Sequence, residues 1–293
     1  MPLFDHHMIV DWSANNAPKL GADSIWLCDQ RGPASNATTR LAAMDTISAA
    51  IREVIAQGKR LFIGFDFGFG YPRGFAEALT GVAGWKSVWA RIADDVSDDA
   101  TNANNRFHVG SDYNKALGGN AVSGPFWGHP YQHKGRYSHL GATKPDYRAF
   151  PEKRHVEGLI GGAQPVWKLA YTGSVGGQTL LGVRWLEQLR RVFGKALAVW
   201  PFDTNFANHL DAPVTVAEVY PSLFPVQVHA GEVKDAAQVR AVSQGFAALD
   251  RAGSLGDLLA RPACLNDAQA DDVVREEGWI VGAGHSVDGS VFA

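Results

Sequence analysis

The sequence predicts an α/β fold, a mixed sheet flanked by helices with one long loop-rich insertion, on three observations. Short apolar runs alternate with segments of helical periodicity through the first hundred residues. The run 60–67 is apolar almost without interruption, which marks a strand buried on both faces. Strand signals also arrive as three in succession, then a helix, then a fourth strand beside the first. That order opens a sheet with a meander and does not fit a Rossmann unit.

Each element has its own justification. His7–Trp12 is an apolar run ending in a carboxylate, followed by the loop-forming Ser13–Pro18. Ser24–Asp29 reads as a second strand, closed by the turn cluster Gln30-Arg31-Gly32-Pro33, and Thr38–Leu41 as a third. Met44, Ile47, Ile51, Val54 and Ile55 recur at helical spacing until Gly58. Trp85–Val96 reads as a helix, whereas residues 100–164, rich in Gly, Asn, Pro, His and aromatics, read as a loop-rich insertion. Beyond it, structure resumes at Pro165–Leu169, and the periodicity of Leu180, Leu181, Trp185, Leu186 and Leu189 predicts a helix. Strands are expected at Ala196–Trp200 and Val214–Val219, and helices at Lys234–Arg251, Leu255–Ala260 and Asp267–Glu277. With no internal repeat or linker, residues 1–293 read as a single domain.

Composition removes several classes of function. The 293 residues are 46% apolar and 19% charged, too apolar for a disordered chain. A formal charge of −3, from 27 basic and 30 acidic residues, gives no reason to expect general adhesion to nucleic acid or anionic membranes. No run of about 18 apolar residues is present to span a membrane. The first residues lack the basic and apolar regions of a secretory signal, so a cytoplasmic protein is expected. Cys28 and Cys264 make neither a disulfide framework nor a four-thiolate zinc site.

The informative pattern is acids at strand ends. Asp11 closes the first strand, Asp66 stands late in the fourth, Glu218 near the end of a later one, and Asp235 in the first turn of the next helix. A carboxylate among apolar strand residues is costly unless paired or bound to a cation. Asp66, within Ile63-Gly64-Phe65-Asp66-Phe67, has no neighbouring base in sequence. Acids converging on one sheet edge either hold a divalent cation or have raised pKa values suited to acid–base work.

Ile9–Ser13, Ile63–Pro72, Ala217–Ser222, Lys234–Val239 and Gly278–Gly282, in that order, span nearly the whole chain. With acids on the first strand, the fourth strand and the closing helix, the chain resembles the ribonuclease H-like fold. More narrowly, it resembles an uncharacterised family of predicted RNase H-fold nucleases, catalogued as domain of unknown function 429. The resemblance implies a metal-dependent phosphoester hydrolase with Asp11, Asp66, Glu218 and Asp235 as catalytic residues. Asp11, Asp66 and Asp235 would hold magnesium or manganese, with Glu218 a further ligand or the base that activates water. Asp235 is followed by Ala236-Ala237-Gln238, where nucleases of this fold often carry a second acid.

On the substrate side, residues 134–154 carry Lys134, Arg136, Lys144, Arg148, Lys153 and Arg154 against Asp146 and Glu152, interleaved with Tyr137, Tyr147 and Phe150. Cations neutralise phosphates and rings stack on bases, so nucleic acid or a nucleotide-like phosphoester is the expected partner, with Lys144 and Arg148 as contacts. Ser13, beside Asp11, and Lys234, beside Asp235, are further candidate substrate-binding residues. Gly173–Thr179 precedes a helix and offers backbone N–H groups to an anion, without the lysine of a Walker loop. His129, His133 and His139 match no standard zinc spacing. Two other classes stay open: an actin- or sugar-kinase-like phosphotransferase, favoured by Asp11-Trp12-Ser13, and a non-catalytic ligand- or ion-binding protein of the same fold. The oligomeric state is left open.

Overall fold

The computed structural model describes residues 2–207, 211–287 and 289–292. Six strands make one mixed sheet: β1 (His6–Asp11), β2 (Ile25–Asp29), β3 (Ser35–Ala37), β4 (Leu61–Phe65), β5 (Leu197–Val199) and β6 (Val214–Glu218). Their spatial order is β3-β2-β1-β4-β6-β5. The first three form the expected antiparallel meander. β4 then runs parallel to β1, β6 parallel to β4, and β5 parallel to β6 at the far edge.

Nine helices among the described residues surround the sheet: α1 (Arg40–Ala56), α2 (Phe75–Thr80), α3 (Trp85–Asp95), α4 (Arg106–Ala116), α5 (His155–Leu159), α6 (Val175–Phe193), α7 (Lys234–Ala252), α8 (Leu255–Leu259) and α9 (Asp267–Asp272). Strand periodicity explains their division into layers, because successive side chains point to opposite faces. Met8 and Val10 of β1, with Leu61, Ile63 and Phe65 of β4, join a core roofed by α1, α3 and α6. Ile9, Phe62 and Ala217 point the other way, into a core closed by α7 and α8. Both faces are therefore covered, as the unbroken apolar character of residues 60–67 requires. None of the described helices is long and apolar enough to cross a membrane.

Several sequence expectations shift in register. The third strand lies at Ser35–Ala37 and not at Thr38–Leu41, because Thr39 serves instead as the N-cap of α1, its side chain accepting the Ala42 N–H at 3.2 Å. At Pro165–Leu169, where structure is expected to resume, Trp127 makes an isolated bridge to Lys168. The insertion holds two helices, α4 and α5, whose weak apolar periodicity concealed them. The last expected helix splits, α9 giving way to a π-helical turn at Val273–Glu277.

Gly64 of β4 is closely covered by side chains of its sheet neighbours. A Cβ there would stand 2.6 Å from Val219 Cγ1 and 2.7 Å from Ile9 Cδ1. Gly64→Ala overfills this point and should lower stability by about 1–3 kcal/mol, read from denaturant midpoints; an unchanged midpoint would contradict the close approach.

Candidate functional site

The parallel register of β1 and β4 sets the geometry of the acids. Val10 lies opposite Phe65, and the Asp66 N–H donates to the Val10 carbonyl at 3.3 Å, continuing the ladder one residue beyond β4. Asp11 and Asp66 thus emerge side by side at the carboxyl ends of adjacent strands, their carboxyl groups within hydrogen-bonding reach. Asp66 Oδ1 also accepts the Trp12 N–H at 2.7 Å. Among the described residues neither carboxyl is bonded to a guanidinium, an ammonium or an imidazole.

That arrangement shifts both acids. Burial, then the Asp66 charge and hydrogen bond, push Asp11 well above the usual carboxylate range, and Asp235 and Asp23 add repulsion. Burial pushes Asp66 up to about 6, against the lowering effect of its bonds with Asp11 and the Trp12 N–H. Two like charges this close in a partly dry setting share protons as a unit.

Asp235 lies in the first turn of α7 on the rim of the same cleft, where Oδ2 accepts the Asp23 N–H at 2.8 Å. It does not complete a cage: among the described residues, no three Asp, Glu, His or Cys side chains converge as a metal site. The trio Asp11, Asp66 and Asp235 implied by resemblance therefore reduces to a carboxyl pair with a more distant third acid.

Glu218 departs from expectation most clearly. It ends β6 and is buried, but both its oxygens are taken by Arg154, through Nη2 at 2.7 Å and Nη1 at 2.8 Å, and Oε2 also accepts the Phe69 N–H at 3.0 Å. Arg154 further donates to Glu157 Oε1 at 2.9 Å and to the Glu277 carbonyl at 2.8 Å. Burial opposes its charge, yet Glu218 and Glu157 outweigh that and raise its pKa. A carboxylate so occupied is neither an open ligand nor a base. Its work is to hold Arg154 across three segments of chain.

A second buried arginine shapes the loop after Asp11. Arg40, fully buried, grips both Asp98 oxygens at 2.6 Å and donates to the carbonyls of Ser13 at 2.8 Å and Asn15 at 2.9 Å. Ser13 Oγ is spent within that loop, reaching the Asp23 carbonyl at 3.3 Å and accepting from Asn15 Nδ2 at 2.8 Å. Ser13 still borders the cleft. Trp12 is buried against Phe65 and Phe67, and Gln178 donates to its carbonyl.

Two adjoining clefts meet at the acids, sharing Gly173 and Gln178. One, of about 620 Å³, is bordered by Asp11, Asp235 and Arg106; the other, of about 440 Å³, by Asp66, Arg154 and Lys234. Lys234 is exposed there and forms no ion pair among the described residues. Lys144 and Arg148 border neither cleft: they are exposed and bonded to Glu152 at 2.6 Å and Asp146 at 2.7 Å. Two of the stretch's six bases are thus paired with its own two acids and Arg154 with Glu157 and Glu218, while Tyr147 and Phe150 pack on the core. His129, His133 and His139 contact, respectively, the Pro130 carbonyl, Tyr137 and Ser138. Arg106 was missed by sequence reasoning, since a single arginine after four Asn/Ala residues carries no distinguishing pattern. Tyr171 borders the larger cleft at φ 74°, a strained setting for a bulky residue, with its hydroxyl donating to the His129 carbonyl at 2.6 Å.

Comparison with protein-family models, with curated proteins and with solved structures finds no match. Function therefore rests on the site itself.

Folded Asp66 holds its proton up to about pH 6, against an ordinary value of 3.8, so the folded state binds that proton more tightly than the unfolded state. Wild-type stability should accordingly fall as pH rises through that window. In chelator, Asp66→Asn should gain melting temperature over wild type near pH 7.5 and lose the advantage near pH 4; a difference independent of pH would refute the shift.

Proposed function

We propose that the chain is a metal-dependent phosphoester hydrolase of ribonuclease H-like fold, with Asp11 and Asp66 at its centre. The observation that carries this reading is a pair of adjacent carboxyl groups, at the ends of parallel strands and open to a cleft, with no cation of the described residues bonded to either. Support for the fold comes from the strand order, a three-stranded meander followed by a strand parallel to the first.

The donor set fits a hard divalent cation. Magnesium keeps several waters and is commonly held by one or two carboxylates plus substrate phosphate, so a pair without a closed cage suffices. Asp11 and Asp66 would hold magnesium or manganese, with Asp235 acting from the rim through its charge. When bound, such an ion supplies positive charge to phosphoester oxygens.

The remaining roles belong to the chain's own groups. The Trp12 N–H fixes the Asp66 carboxyl, and Arg40 fixes the loop carrying Trp12 into the cleft. During hydrolysis the oxygen of water bonds to phosphorus as the ester P–O bond breaks. The carboxyl pair can accept water's proton and return one to the departing alkoxide. Glu218 acts at a distance, by holding Arg154 and the turn that follows Asp66.

Calorimetric titration with manganese, together with hydrolysis of a bis-aryl phosphate and of short oligonucleotides, tests the reading. Wild type should bind manganese and turn over at least one ester, and both properties should vanish in Asp66→Asn while its fold persists. Unchanged manganese binding in that variant would remove Asp66 from the site. Hydrolysis that survives chelator but requires Asp66 would replace the metal by a proton-sharing dyad.

A further inference from the structure

The larger cleft is lined by groups of opposite character. Asp11, Asp23 and Asp235 are its acidic lining. Arg106 and the two residues that lead into α6, Gly173 and the N-cap Ser174, border the same cleft.

Arg106 is only 8% exposed, yet among the described residues it has no carboxylate partner. Its Nη1 donates to the amide oxygens of Asn104, at 2.8 Å, and Asn16. Nε is sealed from solvent with no acceptor, and Nη2 has no hydrogen-bond partner among the described residues. Phe107 underlies the guanidinium, with its ring centroid 4.3 Å from Cζ. Burial and then the Arg40 charge lower its pKa to about 10, so it remains a cation at neutral pH. Every other arginine buried as deeply here, Arg40 and Arg154, grips a carboxylate.

The second observation concerns α6, a helix of 19 residues. Its Ser174 N-cap makes no side-chain hydrogen bond to the first turn; the Val175 N–H is taken by the Gly173 carbonyl at 3.1 Å, which leaves the N–H groups of Gly176 and Gly177 as the uncapped ones. Gly177 in that turn lets the helix lie against Arg106; a Cβ there would stand 3.2 Å from Nε. A helix start and an anion-deficient guanidinium thus share one wall, and both favour negative charge.

We propose that this wall is a phosphate subsite, with Arg106 and the first N–H groups of α6 receiving the oxygens of a phosphate group on a small, nucleotide-sized substrate. The size follows from a cleft of about 620 Å³, and from Lys144 and Arg148 being paired outside it, which leaves them no track along which to lead a polymer. The role of this phosphate in catalysis rests on the hydrolase reading; its binding does not.

The test is titration of the full chain with inorganic phosphate in chelator, following backbone amide shifts of Ser174–Gly177 by NMR at constant ionic strength. Those amides should move saturably in wild type, chloride should not reproduce the effect, and Arg106→Gln should weaken binding by about tenfold or more. Arg106→Lys should fall between, keeping charge but losing the planar fork. Absence of a saturable shift in wild type, or saturable shifts confined to another region, overturns the subsite even if Arg106→Gln fails to fold. A folded Arg106→Gln binding as wild type does overturns it equally. Phosphate binding that persists where manganese binding fails sinks the metal reading and leaves the subsite standing; the converse result sinks the subsite alone.

Discussion

Two like charges are held side by side by the register of β1 against β4, and the cleft is organised around that repulsion. Shifting the pairing by one residue would send every side chain of β1 to the opposite face, so the register is enforced by both apolar cores. The cores are the larger force: Ile9, Val10, Phe62, Ile63 and Phe65 are essentially inaccessible to solvent. The acids at the strand ends follow the cores, and their discomfort appears as proton affinity raised in both.

Three other deeply buried acids make the contrast. Asp98 is closed by Arg40, and Glu157 and Glu218 are closed by Arg154. Such pairs add little net stability relative to apolar packing, but removing one partner leaves a buried charge and costs about 3–5 kcal/mol. Their value here is positional. Arg40 ties the start of α1 to the loop after Asp11 and to Asn102; Arg154 ties the start of α5 to the end of β6 and to Glu277. Rigid loops on both sides keep the Asp11–Asp66 contact from relaxing into solvent.

Most of the sheet was legible in the sequence because period and length suffice for strands buried on both faces and for amphipathic helices such as α1, α6 and α7. Asp66 and Glu218 looked alike, each an acid in an apolar run. What separates them is Arg154, 64 residues before Glu218 in the chain, and no local pattern announces a pairing at that distance. The basic stretch misled for the same reason in reverse: a local count sets Asp146 and Glu152 against six bases but does not show that they fold back on Arg148 and Lys144, the two expected to meet substrate. Arg106 was invisible because its significance is the lack of an anion, a property only the folded surroundings define. Thr39 was assigned to a strand because its β propensity was weighed and its capping geometry was not.

The parallel neighbours of β4 also set a timetable for the newborn chain. β1 and β4 are made early, whereas β6, α7 and the turn at Val273–Glu277 emerge last, the turn after about 210 further residues that take roughly ten to forty seconds to translate. Until then the ribosome carries a half-sheet with one bare oily side and no floor beneath its acids.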